Sequence, residues 1–233
     1  MLKVRVFTLY PDLFPGPLNI GIYEKARKKK IWKLDTVNIR DFANDRRRTV
    51  DGTPFGGGSG MLLRADILSS ALDKKINYKK NERNIYLSPK GSKFDQNLAK
   101  KFSKDKNINI ICGHFEGVDQ RLLETRNIEE VSVGDYILSG GEVAAFVILD
   151  SIIRLLPGVL GNRLSIEDES FENSLLEYPQ YTKPQKWEKK TPPEVLLSGD
   201  HARIKGWRLA QSEAITRRLR PDLWQKYVIK NKK

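Results

Sequence analysis

The chain predicts an α/β fold with a mostly parallel, helix-covered sheet, followed by a small basic helical region, and three observations carry that expectation. Short β-branched runs alternate with stretches of helical spacing over the first two thirds of the sequence, the pattern of repeated strand–helix units. Three of those runs are each followed by a glycine-bearing loop. Beyond residue 161 the alternation stops, and charge, aromatics and helical spacing take over.

Taken in order, the strand candidates are residues 3–9, 34–39, 84–88, 108–112 and 128–133, each of strand length and rich in β-branched side chains. Helical stretches lie between them at 19–30, 64–72 and 95–102. The last is EVAAFVILDSIIRLLPG at 142–158, largely apolar and closed by Pro157-Gly158. A polar loop, DFANDRRRTVDGTP, leads into FGGGSGM at 55–61. That glycine cluster follows no strand and reads either as a surface turn or as a loop that approaches a substrate.

The segment NRLSIEDESFENS is acidic and has no apolar period, so it reads as a linker. Past it, helical spacing returns, with Ser198 or Asp200 as a helix start and Pro221 opening a later helix. The domain reading is therefore residues 1–160 as an α/β domain, 161–174 as an acidic linker and 175–233 as a basic helical domain.

Composition bounds the function. With 39% hydrophobic and 30% charged residues, the chain fits a globular protein rather than a disordered one. No apolar run approaches the roughly 20 residues of a spanning helix, and the N-terminus reads as a first strand and not as a signal peptide. A cytoplasmic location and no membrane partner are expected. Cys112 is the single cysteine and His114 and His201 are the only histidines; this excludes an internal disulfide and thiolate clusters, and no metal site is expected. Cys112, at the end of an apolar run, reads as a small buried hydrophobe. The net charge is +13, and residues 183–233 carry 14 Lys/Arg against 5 Asp/Glu. Together with Trp187, Trp207, Trp224 and Tyr227, such a face suits a phosphate backbone, with salt-sensitive affinity.

The three glycine loops are LSPKG at 87–91, CGHFEG at 112–117 and VGDYILSGGE at 133–142. Glycine lets backbone N–H and C=O groups come close to a ligand. If the preceding runs are neighbouring strands, all three loops open on one edge of the sheet, where open α/β folds bind ligands. No GxxxxGK[ST] and no GxGxxG after the first strand occur, which disfavours a P-loop nucleotidase and a Rossmann dinucleotide site.

YLSPKG, CGHFEGVDQR, VSVGDYILSGGE, IIRLLPGVLGN, ESF and VLLSGDH, in this order, together with DFANDRRRTVDGTPFGGGSGM, resemble the bacterial tRNA (guanine-N(1)-)-methyltransferases of the TrmD type. The likeness runs from Thr8 to about Pro221. It implies a SPOUT-type parallel sheet whose C-terminal part is threaded into a deep trefoil knot, an arrangement that general topology rules would reject, plus a small C-terminal α-helical domain. It also implies an obligate homodimer with composite active sites, S-adenosylmethionine as methyl donor and tRNA, not DNA, as partner. The product would be 1-methylguanosine at the guanosine immediately 3′ of the anticodon, which supports reading-frame maintenance.

Carried over by position, the resemblance assigns the cofactor to Tyr86, Leu87, Ser88 and Pro89, to Gly113, Phe115, Glu116 and Gly117, and to Val133, Gly134, Asp135, Tyr136, Ile137, Leu138, Ser139, Gly140 and Gly141. The reaction needs a base for the proton on the target nitrogen and a fixed cation for the charge developing on the guanine oxygen. Arg154 occupies the position of the family's catalytic arginine. The family's proton acceptor is an aspartate directly before Ser-Phe; here that place holds Glu169, with Asp168 just ahead of it, so both acids stay open as the base. For the RNA, Arg46, Arg48, Ser165, His201, Arg203, Trp207 and Arg208 are expected to contribute. Magnesium is implied as an aid to the reaction, although no ligand cluster in the sequence demands it.

Three departures from the family pattern stand out: His114 and Phe115 replace Arg-Tyr, and Ala144 replaces proline. Two other functions stay open at this point. One is a SPOUT enzyme acting on another nucleotide or on ribosomal RNA, which nucleoside analysis separates. The other is a non-catalytic regulator using the basic tail on DNA, which leaves the glycine loops unexplained.

Overall fold

A computed structural model describes residues 1–78, 80, 82–161 and 169–231. Contacts divide the chain into two units, Met1–Gly161 and Asn162–Lys233.

The first unit holds a five-stranded sheet of β1 (Leu2–Thr8), β2 (Trp32–Asn38), β5 (Arg83–Lys93), β6 (Asn107–Ile111) and β7 (Glu129–Ser132), in the order β2-β1-β6-β5-β7. Every pairing in it is parallel. A separate two-stranded ladder pairs β3 (Asp51–Gly52) with β4 (Leu62–Leu63). The helices of this unit are α1 (Gly21–Lys28), α2 (Ala65–Lys75), α3 (Gln96–Phe102), α4 (Gln120–Thr125) and α5 (Gly141–Ile153).

A parallel sheet covered on both faces needs apolar side chains on both, and the strands supply them with period two. Val4 and Val6 of β1, Ile108 and Ile110 of β6, and Ile85 and Leu87 of β5 join one buried cluster with Ala26, Phe102 and α5 residues such as Ile148 and Ile152. Phe7, Tyr86 and Ile111 face the other way, into a cluster with Leu68 and Leu72 of α2 and Leu122 of α4. Cys112 is fully buried in the first cluster, and burial pushes its thiol well above the ordinary range, with the charge of Glu142 adding to it. It is a core residue, as the sequence suggests.

Element ends differ from the sequence expectation. β2 starts earlier, at Trp32, because the indole is fully buried and its Nε1 donates to the Tyr23 carbonyl at 2.9 Å. β5 runs on to Lys93, with its register against β7 shifting between Leu87 and Ser92. α5 stops at Ile153 instead of running to Gly158: backbone bonds tighten to i−3 at Leu155 and Leu156, 3.1 and 3.0 Å, just ahead of Pro157, which cannot continue the ladder.

Among the described residues of the second unit the α-helices are α6 (Glu194–Leu197), α7 (His201–Leu219) and α8 (Pro221–Asn231). Asp200 caps α7 by accepting from the backbone N–H groups of Ala202 and Arg203, both at 3.1 Å, and Pro221 opens α8. Ser198 instead closes α6. Thr216 accepts from the Leu176 N–H at 2.8 Å and donates to the Ser212 carbonyl at 2.6 Å, which pins the segment before α6 onto α7.

Candidate active site

Because β6, β5 and β7 are neighbours and parallel, the loops that leave them emerge on one edge of the sheet. They enclose a cavity of about 310 Å³, within the size range of small-molecule sites. Its lining takes Tyr86 to Lys90 from the stretch of β5 where the register against β7 shifts, Gly113 to Val118 from the β6 loop, and residues 130–134 and 136–141 from β7 and the loop after it. Every cofactor position expected from the sequence lines it except Asp135, which is exposed on the loop. The lining also takes in Lys90, His114, Val118, Gln120, Leu123, Glu130, Val131, Ser132 and Ala144, which the sequence reading did not assign to the cofactor.

Close backbone packing shapes this cavity. A Cβ on Gly141 would lie 2.7 Å from the Cα of Cys112, and one on Gly113 would lie 2.7 Å from the Tyr86 hydroxyl. Gly141 donates its N–H to the Gly113 carbonyl at 2.9 Å, and His114 and Gly140 form an antiparallel bridge. The β6 and β7 loops are thereby zipped together. Tyr86 stands at their base, and burial, reinforced by the charge of Glu130, pushes its hydroxyl up to about 12.

The fourth glycine cluster divides between the two readings given to it. Phe55 is exposed, and a Cβ on Gly56, Gly57 or Gly58 would meet nothing within 4 Å, as in a surface turn. Its far end instead packs on the site: the Glu116 N–H donates to the Met61 carbonyl at 2.9 Å, and Gly60 abuts the Glu116 side chain.

Arg154 forms the C-cap of α5, half-buried, with its N–H donating to the Asp150 carbonyl at 3.3 Å. Its charge reaches Tyr23, whose hydroxyl is held far above its ordinary value by burial and by a hydrogen bond to Asp150, with Arg154 acting in the opposite sense. Arg154 is not among the cavity's lining residues. Arg46 and Arg48 lie exposed on the polar loop, where Arg48 pairs with Asp41 at 3.1 Å.

In the second unit, Glu169 is half-buried beside Ser170, whose hydroxyl accepts the Glu177 N–H at 3.0 Å. Asp168 and Ser165 lie outside the described residues. His201 and Arg203 are exposed in the first turn of α7. Trp207 approaches Tyr181, ring centroids 6.4 Å apart, and the Arg208 guanidinium lies over the Tyr178 ring at 4.8 Å. Among the described residues no group of three or more His, Cys, Asp or Glu is placed to hold a metal ion.

Sequence reasoning missed one polar network beside the cavity. The carboxylate of Glu142 is buried, contacts His114 Nε2 at 2.7 Å and accepts from the Thr8 hydroxyl at 2.5 Å. Glu142 stands in the quoted SGGE motif, and an acid at the start of an otherwise apolar helix was the available signal.

The family profile described as tRNA (Guanine-1)-methyltransferase TrmD matches residues 2–226. The chain is 69% identical to the tRNA (guanine-N(1)-)-methyltransferase of Pelagibacter ubique, over 97% of this chain and 99% of that protein. It is 54% identical to the protein of the same name from Zymomonas mobilis, over 97% and 90%, and 53% identical to that from Bartonella tribocorum, over 97% and 96%. With its parallel sheet, its three-loop cavity and these similarities over nearly its full length, the chain belongs to the TrmD family of tRNA (guanine-1)-methyltransferases.

Proposed function

We propose that this methyltransferase takes its methyl group from S-adenosylmethionine, held in the three-loop cavity, and delivers it to position 1 of the guanosine immediately 3′ of the tRNA anticodon. The observation that carries the reading is the convergence of the β5, β6 and β7 loops on one cavity built largely of backbone and apolar side chains. Such a lining suits an adenosine. Backbone N–H and C=O groups are available to the adenine edge and ribose, and Leu87, Val133 and Leu138 are the apolar side chains expected to sandwich the ring. The donor supplies an activated methyl for in-line displacement, so much of the acceleration is positioning.

The chain's own residues have two further tasks. A carboxylate removes the proton from the guanine nitrogen; Glu169 takes that role by its place before Ser-Phe, with Asp168 as the alternative. Arg154 stabilises the negative charge that develops on the guanine oxygen. Arg46, Arg48, Ser165, His201, Arg203, Trp207 and Arg208 hold the RNA, with phosphate contacts fixing position and the guanine edge carrying specificity. A requirement for magnesium has no support from the donor groups among the described residues.

We also propose a homodimer. α5 is apolar on nearly all sides, and its outward residues Val143 and Val147 are 57% and 44% exposed, with Leu13 and Ile20 of the same unit exposed as well. A helix apolar all round is ordinarily buried, and a second copy would cover this face.

The decisive experiment gives the protein labelled S-adenosylmethionine and an unmodified tRNA carrying guanosine on both sides of the anticodon boundary. 1-Methylguanosine is the expected product, and Glu169→Gln is expected to lower its rate by about 10²- to 10⁴-fold, the usual scale for a general base. A collapse in Asp168→Asn alone moves the base by one residue. No product from the wild type overturns the reading.

A further inference from the structure

We infer that His114 is a positioning residue for the methyl donor, acting through Glu142 to clamp two walls of the cavity at a fixed spacing. This rests on the cavity's assignment to S-adenosylmethionine. His114 lines the cavity on the β6 loop. Its partner Glu142 sits in the first turn of α5, which the β7 loop feeds. Their contact, His114 Nε2 to Glu142 Oε2, is 2.7 Å. A carboxylate only accepts, so Nε2 carries the hydrogen, and a hydrogen bond to an ionised acceptor is stronger than one between neutral groups.

The surroundings leave the imidazole little freedom. Glu142 is 3% exposed, and its other oxygen accepts from the Thr8 hydroxyl at 2.5 Å, while Thr8 Oγ1 itself accepts the Tyr10 N–H at 2.9 Å. The Tyr10 ring meets the imidazole edge-on, centroids 5.0 Å apart. The ring also packs against Gly140, where a Cβ would come within 2.2 Å of His114 Cε1. One hydrogen-bonded chain therefore joins the end of β1, the β6 loop and the start of α5. A shift of the imidazole changes the distance between the walls that Gly113 and Gly140 form.

The family pattern has an arginine at this position, and an arginine would meet the same buried carboxylate with a permanent charge. The histidine here does the same task with a shorter, flatter group that Gly140 admits. What matters in this account is a donor to Glu142, not the aromatic ring and not bulk.

The test measures binding of S-adenosylhomocysteine by calorimetry and the single-turnover rate at saturating donor, for the full chain, with thermal melting recorded for each variant. His114→Phe keeps a ring and removes the donor; it is expected to weaken binding by roughly tenfold while changing the saturated rate by less than about threefold. His114→Gln and His114→Arg keep a donor and are expected to stay within about threefold of the wild type in affinity. Glu142→Gln, which keeps the shape of the network and removes the carboxylate, is expected to resemble His114→Phe. Wild-type affinity in His114→Phe overturns the clamp, as does a His114→Arg variant that folds normally yet binds as weakly as His114→Phe. A wild type that does not bind S-adenosylhomocysteine at all overturns the cavity's assignment itself, and the clamp with it.

Discussion

The two units of this chain solve different recognition problems, and they do so with different parts of the polypeptide. In Met1–Gly161 the cavity lies at the end of a sheet buried on both faces, and its walls are largely glycine backbone and apolar side chains, with His114, Glu116 and a few other polar groups among them. In the second unit, among the described residues, only Leu175, Ser212, Thr216 and Leu223 are buried. Lysines and arginines outnumber acids among its exposed side chains. A pocket for a small ligand depends on atoms held within tenths of an ångström, which a dense core provides. A long polyanion is held by many weak, screened contacts that need no such rigidity. Apart from the proposed base Glu169, changes in the second unit should therefore act gently and on the RNA, while changes in the first should act steeply and on the small ligand or the chemistry.

Within the first unit the largest effect should come from Arg154→Ala. Loss of a fixed charge aimed at a developing oxyanion costs on the order of 10²- to 10³-fold in turnover. Affinity for S-adenosylhomocysteine should be unchanged, since Arg154 is not among the residues that line the cavity. Single-turnover rates and calorimetry separate the two. A parallel loss of cofactor affinity would break the comparison by placing Arg154 in the pocket's own support.

Next in size is Gly141→Ala. The new Cβ would sit 2.7 Å from the Cα of Cys112, backbone on backbone, so neither side yields by a simple rotamer change. Overpacking of this kind costs roughly 1–3 kcal/mol; borne by the pocket, that is about 5- to 150-fold in cofactor affinity. Binding of tRNA in the absence of cofactor should be little altered. Equal losses for both ligands would show that the two surfaces are coupled and not separate.

How much of this was legible in the sequence follows from the same division. NINIIC declares a strand because its apolar residues supply both faces of a buried sheet, and the period of two survives without knowledge of the neighbours. The three loops were legible because glycine marks places where backbone must approach backbone or ligand, and their meeting follows from parallel pairing alone. Element ends were less legible: the start of β2 depends on where the Trp32 indole is buried, and the extension of β5 depends on a register shift against β7. Asp135 lies in a motif that points inward at most positions, yet the loop turns it to solvent. The Glu142 network was hidden because its members, Thr8, His114 and Glu142, come from three separate stretches of chain. No local pattern joins them.

The smallest effect, and the sharpest check on the second unit, belongs to Arg203→Ala. Arg203 is exposed in the first turn of α7, and the cap beneath it uses its backbone N–H, which alanine retains. Folding should hold, because exposed substitutions away from caps and cores usually change stability by less than about 0.5 kcal/mol. If the side chain touches one phosphate, the slope of log affinity for tRNA against log salt should become shallower by about 0.7 to 0.9, the contribution of one released counterion. The affinity loss should shrink as salt rises, and cofactor binding should not move. A slope that stays at the wild-type value while affinity falls would mean that Arg203 reads a base or supports a neighbour, and the second unit would then share the geometric strictness of the first.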